Sequence, residues 1–156
     1  MSLLLQDHVR AQNLWADRGE FKGRIVTFEA AAGEFFELSE FADRNTGRVV
    51  VDLETLAKLR ELRQACGFPF HLSSAFREEL TNLEVGGHPR SAHKVGRAYD
   101  IGRLTGPMAL TIITRAPSFG FHGIGVKRPI DGRGYVHIDD VDRDFGATLW
   151  SYSHGS

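Results

Sequence analysis

The sequence predicts an α+β domain in which a mainly antiparallel sheet is flanked by helices. Two patterns point there: leucines recur at three-residue steps in the first half of the chain, and short β-rich segments alternate with a helical segment in the second. Size is the third observation. The 156 residues, 42% hydrophobic and 25% charged, suffice for one domain with its own core and not for two of ordinary size.

Residues 4–17 carry Leu5, Val9, Leu14 and Trp15 in a loosely helical pattern, and Arg24-Ile-Val-Thr-Phe28 reads as a short strand. No apolar pattern crosses the small, flexible stretch Ala30–Gly33 cleanly. Residues 1–33 are therefore expected to form an N-terminal extension and residues 34–156 the main domain. The next helix is better specified. Asp52 caps it, Leu53, Leu56, Leu59 and Leu62 line one side, and Gly67 supplies the left-handed residue that ends it. Pro69-Phe-His-Leu72 reads as a strand, Arg77–Leu83 as a short helical turn and Arg97-Ala-Tyr-Asp-Ile101 as a strand. A helix opens at Thr105-Gly-Pro107, where proline suits the first helical position, and runs to about Ala116. Phe121–Val126 and Tyr135–Asp139 are further strands, separated by the turn-rich Asp131-Gly-Arg-Gly134.

Composition narrows the chemistry. With 19 Lys and Arg against 20 Asp and Glu, overall charge provides no reason to expect nucleic acid or an anionic membrane as partner. The single cysteine, Cys66, excludes an intrachain disulfide and a thiolate metal cluster, and its place at the end of the leucine helix suits core packing. Leu3–Leu5 is cut short by Gln6, Asp7 and His8, far from a signal-peptide core or the ~20 residues of a membrane span. Synthesis in the cytoplasm without a Sec signal or a membrane span is expected, with virion association or release to the cell wall both open. Seven histidines remain, so any metal must be held by imidazole and carboxylate.

One stretch concentrates that chemistry. Ser91-x-His93 and Gly96-x-Ala98-x-Asp100 place an imidazole in a glycine-containing loop and a carboxylate in the strand that follows. In Tyr135-Val-His-Ile-Asp139, alternation puts Tyr135, His137 and Asp139 on one strand face and Val136 and Ile138 on the other. If the two strands are neighbours, His93, Asp100 and His137 converge. Two histidines and one carboxylate leave the fourth position of a tetrahedral Zn²⁺ open for water, as in catalytic sites. The residues alone equally allow Asp100 to pair with Arg97 or Arg103.

The whole pattern, Ser-x-His-x6-Asp with Gly96 and Ala98 inside it, Asn82 and Gly86-Gly87 before it and Val-His-Ile-Asp after it, closely resembles the zinc D-alanyl-D-alanine carboxypeptidase family. That family shares its metal-site fold with certain peptidoglycan endopeptidases, phage endolysins and the hedgehog signalling domain. Phe36–Phe41, the leucine helix and Ser73-Ser-Ala-Phe-Arg77 are similar to the family's lead-in, so the likeness spans about residues 35–140. The resemblance implies a hedgehog/D-Ala-D-Ala carboxypeptidase-like fold and a Zn²⁺ held by His93, Asp100 and His137. It also implies that Arg77 contacts the substrate or stabilises the developing oxyanion, and that Ser91 helps hold the substrate's terminal carboxylate. The implied activity is zinc-dependent hydrolysis of peptide bonds in peptidoglycan stem or cross-link peptides.

The sequence departs from the family where the proton is handled. Many members carry Glu or Asp three residues before the second ligand histidine, where this chain has Gly134, and related enzymes carry histidine two residues before it, where this chain has Tyr135. Two carboxylates compete for the role of general base. Asp139 is favoured, though at two residues from His137 it also suits orienting that ligand; Asp131, in the turn, is the alternative. Tyr135 either donates to the oxyanion or packs beneath the site. A non-catalytic zinc domain serving as a virion or cell-surface structural or binding module is the rival reading.

Other polar residues are given plainer expectations. His8, His71, His88, His122 and His154 lack metal-ligand spacing, although His88 and His122 stand close enough to the motif to line a cleft. Gly86-Gly87 and Gly123-x-Gly125 lack the features of phosphate loops and suit tight turns and close approach near the cleft. Asp140, Asp142 and Asp144 read as a solvated strand end and not a calcium loop. Trp150 and Tyr152 pack the tail against the domain, in preference to stacking on a glycan.

Overall fold

The structure, a computed structural model, describes residues 3–5, 13–16 and 18–152. In chain order the elements are β1 (Leu3–Leu5), β2 (Asn13–Trp15), β3 (Ile25–Thr27), α1 (Phe28–Ala32), β4 (Val49–Val51), α2 (Leu53–Cys66), β5 (His71–Ser74), α3 (Glu79–Glu84), β6 (Ala98–Gly102), α4 (Gly106–Arg115), β7 (Gly123–Lys127), β8 (Tyr135–Asp139) and β9 (Thr148–Ser151). Short 3₁₀ turns lie at Leu38–Phe41, Ala92–Val95 and Ala116–Phe119. The expected α+β class holds. The main sheet has five strands in the order β5-β6-β8-β7-β9, antiparallel except for the parallel pair β7 and β9, and two small pairs, β1 with β4 and β2 with β3, stand outside it.

The leucine helix forms as its sequence predicts. The Asp52 carboxylate accepts from the Thr55 amide at 3.1 Å, and Gly67 takes the left-handed conformation at φ 78°. Leu53, Leu56, Leu59 and Leu62 are all buried. Burying each contributes about 2 kcal/mol, against about 1 kcal/mol for the cap, so the apolar face makes α2 a helix and the caps only set its ends. α4 starts at the Thr105 cap, with Pro107 in its first turn.

The helical reading of residues 4–17 is corrected. Leu3–Leu5 and Asn13–Trp15 are strands, pairing with Val49–Val51 and Ile25–Thr27 respectively; Val9 lies outside the described residues. Backbone pairing with distant β-branched segments overrides the weak helical spacing, which had no cap at either end. Leu14 is fully buried in the same core as Phe28, Ala31, Leu56 and Ile138.

Cross-strand register creates the two faces of the main sheet. One face carries Tyr99, Ile101, Ile124, Val136 and Ile138, all buried in the core with Leu59 and Ile112 from α2 and α4. On the opposite face one lateral row runs Ser74, Asp100, His137, Gly125, Trp150 across all five strands. Adjacent rows add Asp139 opposite Gly123, and Tyr135 opposite Gly102. The apolar face thus fixes which side chains must point the other way.

Asp140 also departs from expectation. Its side chain is 0% exposed: Oδ2 accepts from Arg18 Nη2 at 3.0 Å, Thr55 Oγ1 at 2.8 Å and Lys58 Nζ at 3.1 Å, and Oδ1 from Arg97 Nε at 2.8 Å. Asp142, 98% exposed, and Asp144 are the solvated ones. Arg97 is thereby spent on Asp140 and not on Asp100. Burial works to raise the Asp140 pKa, but the bonds from Arg97, Thr55 and Arg18 and the charge of Arg97 outweigh it and hold it below the usual carboxylate range.

A depressed folded pKa stabilises the protein above the unfolded value of about 3.9, and that stability is lost as pH falls through the folded value. Asp140→Asn is expected to cost about 3 kcal/mol in urea unfolding at pH 7, the low end for breaking a buried pair because the cations remain partly solvated. The gap from the wild type should narrow progressively below about pH 4; a gap that stays constant into strong acid would contradict this role.

Candidate metal centre and cleft

Three elements deliver the expected ligands. His93 sits in the 3₁₀ turn Ala92–Val95, which Ser91 caps by accepting from the His93 amide at 3.2 Å. Asp100 and His137 are directly paired across β6 and β8. One donor atom from each of the three lies within 4.8 Å of the others, and all three residues are buried. His93 Nε2 faces Asp100 Oδ1 at 3.1 Å, and His137 Nδ1 faces the same oxygen at 3.0 Å.

The remaining ring nitrogens are already committed. His93 Nδ1 lies 2.6 Å from the Ala75 carbonyl, which can only accept, so this nitrogen carries the hydrogen and Nε2 presents a lone pair. His137 Nε2–H donates to Asp139 Oδ2 at 2.8 Å, leaving Nδ1 turned to Asp100. Burial lowers the His93 pKa, against the pull of Asp100, and keeps this ring neutral. A bare imidazole lone pair opposite a buried carboxylate oxygen is an arrangement that a cation between them satisfies. Donor atoms about 2 Å from a tetrahedral ion stand roughly 3.3 Å apart, close to the spacings from Asp100 Oδ1 to the two histidines. The residues present therefore fit a small divalent metal.

Burial acts to lower the His137 pKa, but hydrogen bonds to Asp100 and Asp139 raise it to about 9. Burial acts to raise Asp139, and its bonds from His137 and Arg143 bring it down to about 2. Arg77, not Arg97 or Arg103, pairs with Asp100, Nη2 to Oδ2 at 2.8 Å, and its Nε donates to Ser74 Oγ at 2.9 Å. Tyr135 is held protonated, its pKa raised to about 12 by burial and by the Asp100 charge.

These groups lie along a cleft of about 1170 Å³ whose walls include Arg77, His88, Ser91, Arg133, Tyr135 and Tyr152. His88 lines it, as the sequence allowed; His122 does not. His71 is exposed on β5, and His8 and His154 lie outside the described residues. Asp131 is exposed in the turn before β8 and is not among the cleft's lining residues. A side chain at Gly134 would run into the carbonyl oxygens of Lys127 and Pro129, so no carboxylate can stand there.

Three residues of the cleft were not expected at the site. Arg143, Trp150 and Tyr152 come from the segment after β8, with the Trp150 ring 5.4 Å from that of His137 and the Tyr152 ring 6.4 Å from it. The tail does pack, but on His137. Gly125 makes this possible: a Cβ there would stand 2.7 Å from Trp150 Nε1 and 2.8 Å from Tyr152 Cε2. Gly123-x-Gly125 is thus not a turn but a strand stripped of side chains, and aromatics two residues apart, Trp150 and Tyr152, were the available sign of a strand facing it.

Metal-assisted hydrolysis is the chemistry served by two imidazoles that face one carboxylate oxygen, with a guanidinium beside them, in an open groove. Sequence comparison agrees. The family model described as Peptidase M15 matches residues 34–139, well over half the chain, and the chain belongs to that family of zinc D-Ala-D-Ala carboxypeptidase-like proteins. Comparison with curated proteins finds no match. Membership in a metal-dependent peptidase family and the His-Asp-His set support a metallopeptidase.

Removing either the metal or a ligand should be visible in stability. A bound divalent ion is expected to stabilise the fold by about 2.7 kcal/mol at one hundred times Kd, seen as a raised melting temperature and reversed by chelator. In His93→Ala and Asp100→Ala the ion should produce no shift. A thermal-shift series with equal metal-induced shifts in wild type and variants would contradict the assigned ligands.

Proposed function

We propose that the protein is a zinc peptidase with a hedgehog/D-Ala-D-Ala carboxypeptidase-like fold, residues 34–156 forming the catalytic unit. Its substrates in this reading are the stem or cross-link peptides of peptidoglycan, met at the cell wall as an endolysin-type enzyme would meet them. The observation that carries the reading is the paired commitment of His93 Nδ1 to Ala75 and His137 Nε2 to Asp139, which turns His93 Nε2 and His137 Nδ1 together onto Asp100. Bound there, zinc would polarise the scissile carbonyl and lower the pKa of water.

The chain's own residues divide the remaining work. Arg77 lines the cleft with its guanidinium anchored on Asp100 and Ser74, positioned to hold a substrate carboxylate or the charge developing on the carbonyl oxygen. Ser91 lines the cleft beside His93 and offers its hydroxyl to the substrate's terminal carboxylate. Tyr135, protonated at neutral pH, donates a hydrogen bond to the carbonyl oxygen. Asp139 is engaged by His137 and by both terminal nitrogens of Arg143, and its part is to orient His137.

A second reading, a non-catalytic zinc module of a virion or cell surface, is favoured by one observation: the backbone packing that forces glycine at position 134 removes the usual general base. Incubating the zinc-loaded protein with purified muropeptides, with products followed by mass, separates the two. The expected result is release of terminal D-alanine or scission of a cross-link, lost in His137→Ala and lowered about 10²–10³-fold in kcat by Arg77→Gln. Stoichiometric zinc with no cleavage of any muropeptide would favour the binding module, and a protein that takes up no zinc would overturn both.

A further inference from the structure

Asp139 orients His137, and Asp139 is itself held. Arg143 grips it as a fork, Nη1 to Oδ1 at 2.7 Å and Nη2 to Oδ2 at 3.1 Å, and also donates from Nη1 to the Val141 carbonyl at 3.1 Å. The guanidinium lies 5.3 Å from the centroid of the Trp150 ring, and that ring packs at 5.4 Å and 51° on His137. On its other contacts the His137 ring meets His93, centroid to centroid at 5.1 Å. The chain of contacts closes on itself: His137 to Asp139, Asp139 to Arg143, Arg143 to Trp150, Trp150 back to His137.

Space for this ring is left by two missing side chains. A Cβ on Gly123 would collide with Asp139 Oδ2 and stand 2.5 Å from Arg143 Nη1, and one on Gly125 would stand 2.7 Å from Trp150 Nε1. Both Arg143 and Trp150 lie beyond residue 139, where the family match ends. Arg143 borders the cleft, yet both of its terminal nitrogens are spent on Asp139, so it is not offered to substrate as Arg77 is. A singly bonded carboxylate swings about its Cβ–Cγ bond, whereas a forked pair fixes its plane. Fixing that plane fixes the direction of the His137 Nε2–H bond and so the aim of Nδ1.

We propose that Arg143 and Trp150 are positioning residues of the metal centre, Arg143 by locking the Asp139 carboxylate and Trp150 by bracing both the Arg143 guanidinium and the His137 ring. This rests on the zinc reading above. In this role each acts through His137. Partners of this kind are worth about 10–100-fold in metal affinity.

The test is zinc affinity by competition with a chromophoric chelator for the wild type, Arg143→Gln, Arg143→Lys and Trp150→Phe, with melting of the metal-free proteins in parallel. Arg143→Gln is expected to bind zinc about 10–100-fold more weakly, with Arg143→Lys recovering part of the loss by keeping the charge but not the fork. A smaller loss is expected for Trp150→Phe. The second readout is optical. In a Trp15→Phe background, which leaves Trp150 as the sole tryptophan, Co²⁺ should quench its emission and saturate at one equivalent. Wild-type affinity in both Arg143→Gln and Trp150→Phe, with only their melting temperatures lowered, would overturn the proposal and leave the zinc site standing. Cobalt bound without quenching would overturn Trp150's place in it. A wild type that binds no zinc would overturn the zinc reading and the proposal with it.

Discussion

Asp100 is a carboxylate only 2% exposed at the floor of a cleft, and the site is arranged around that charge. A buried carboxylate is costly unless cations and donors surround it. Arg77 holds one oxygen, and two imidazole nitrogens converge on the other. Burial works to raise the Asp100 pKa, but the interactions with His93 and His137 drive it well below the usual carboxylate range. The His93 ring is neutral and presents its Nε2 lone pair to this oxygen, an arrangement that a cation among the three donors satisfies.

Sheet geometry accounts for the convergence. The two-residue period sends Tyr99, Ile101, Val136 and Ile138 into the core, and by the same alternation Asp100 and His137 stand side by side on the other face. A one-residue slip would turn Asp100 and His137 into the apolar core and four core side chains toward the cleft, so core and site enforce the same register. The end of β8 is pinned again by Asp140, which ties it to Arg18, to Thr55 and Lys58 on α2, and to Arg97 just before β6. Residues near the start of the chain thereby bear on the strand that carries His137 and Asp139.

The parts legible in the sequence are those with local causes. The Asp52 cap, the leucine spacing and Gly67 specify α2, and alternation in Tyr135–Asp139 specifies which side chains share a face. His93, Asp100, His137 and Arg77 were recognisable because their spacing follows a compound pattern. What stayed hidden depends on long-range pairing. Leu3–Leu5 is a strand only because Val49–Val51 lies beside it, and β9 is one only because β7 offers a bare parallel edge. Asp140 looks solvated beside Asp142 and Asp144 until Arg18 and Arg97 are brought in from distant segments. Arg143 and Trp150 were missed for the same reason, since their importance lies in what Gly123 and Gly125 leave room for.

Membership in the peptidase M15 family fits this centre. The central claim is that protein hydrogen bonds preset which nitrogen of each histidine meets the metal. Long-range ¹H–¹⁵N NMR of the histidine rings in zinc-loaded protein measures this directly. The predicted result is metal on Nε2 of His93 with its hydrogen on Nδ1, and metal on Nδ1 of His137 with its hydrogen on Nε2. Zinc on the opposite nitrogen of either ring would contradict it.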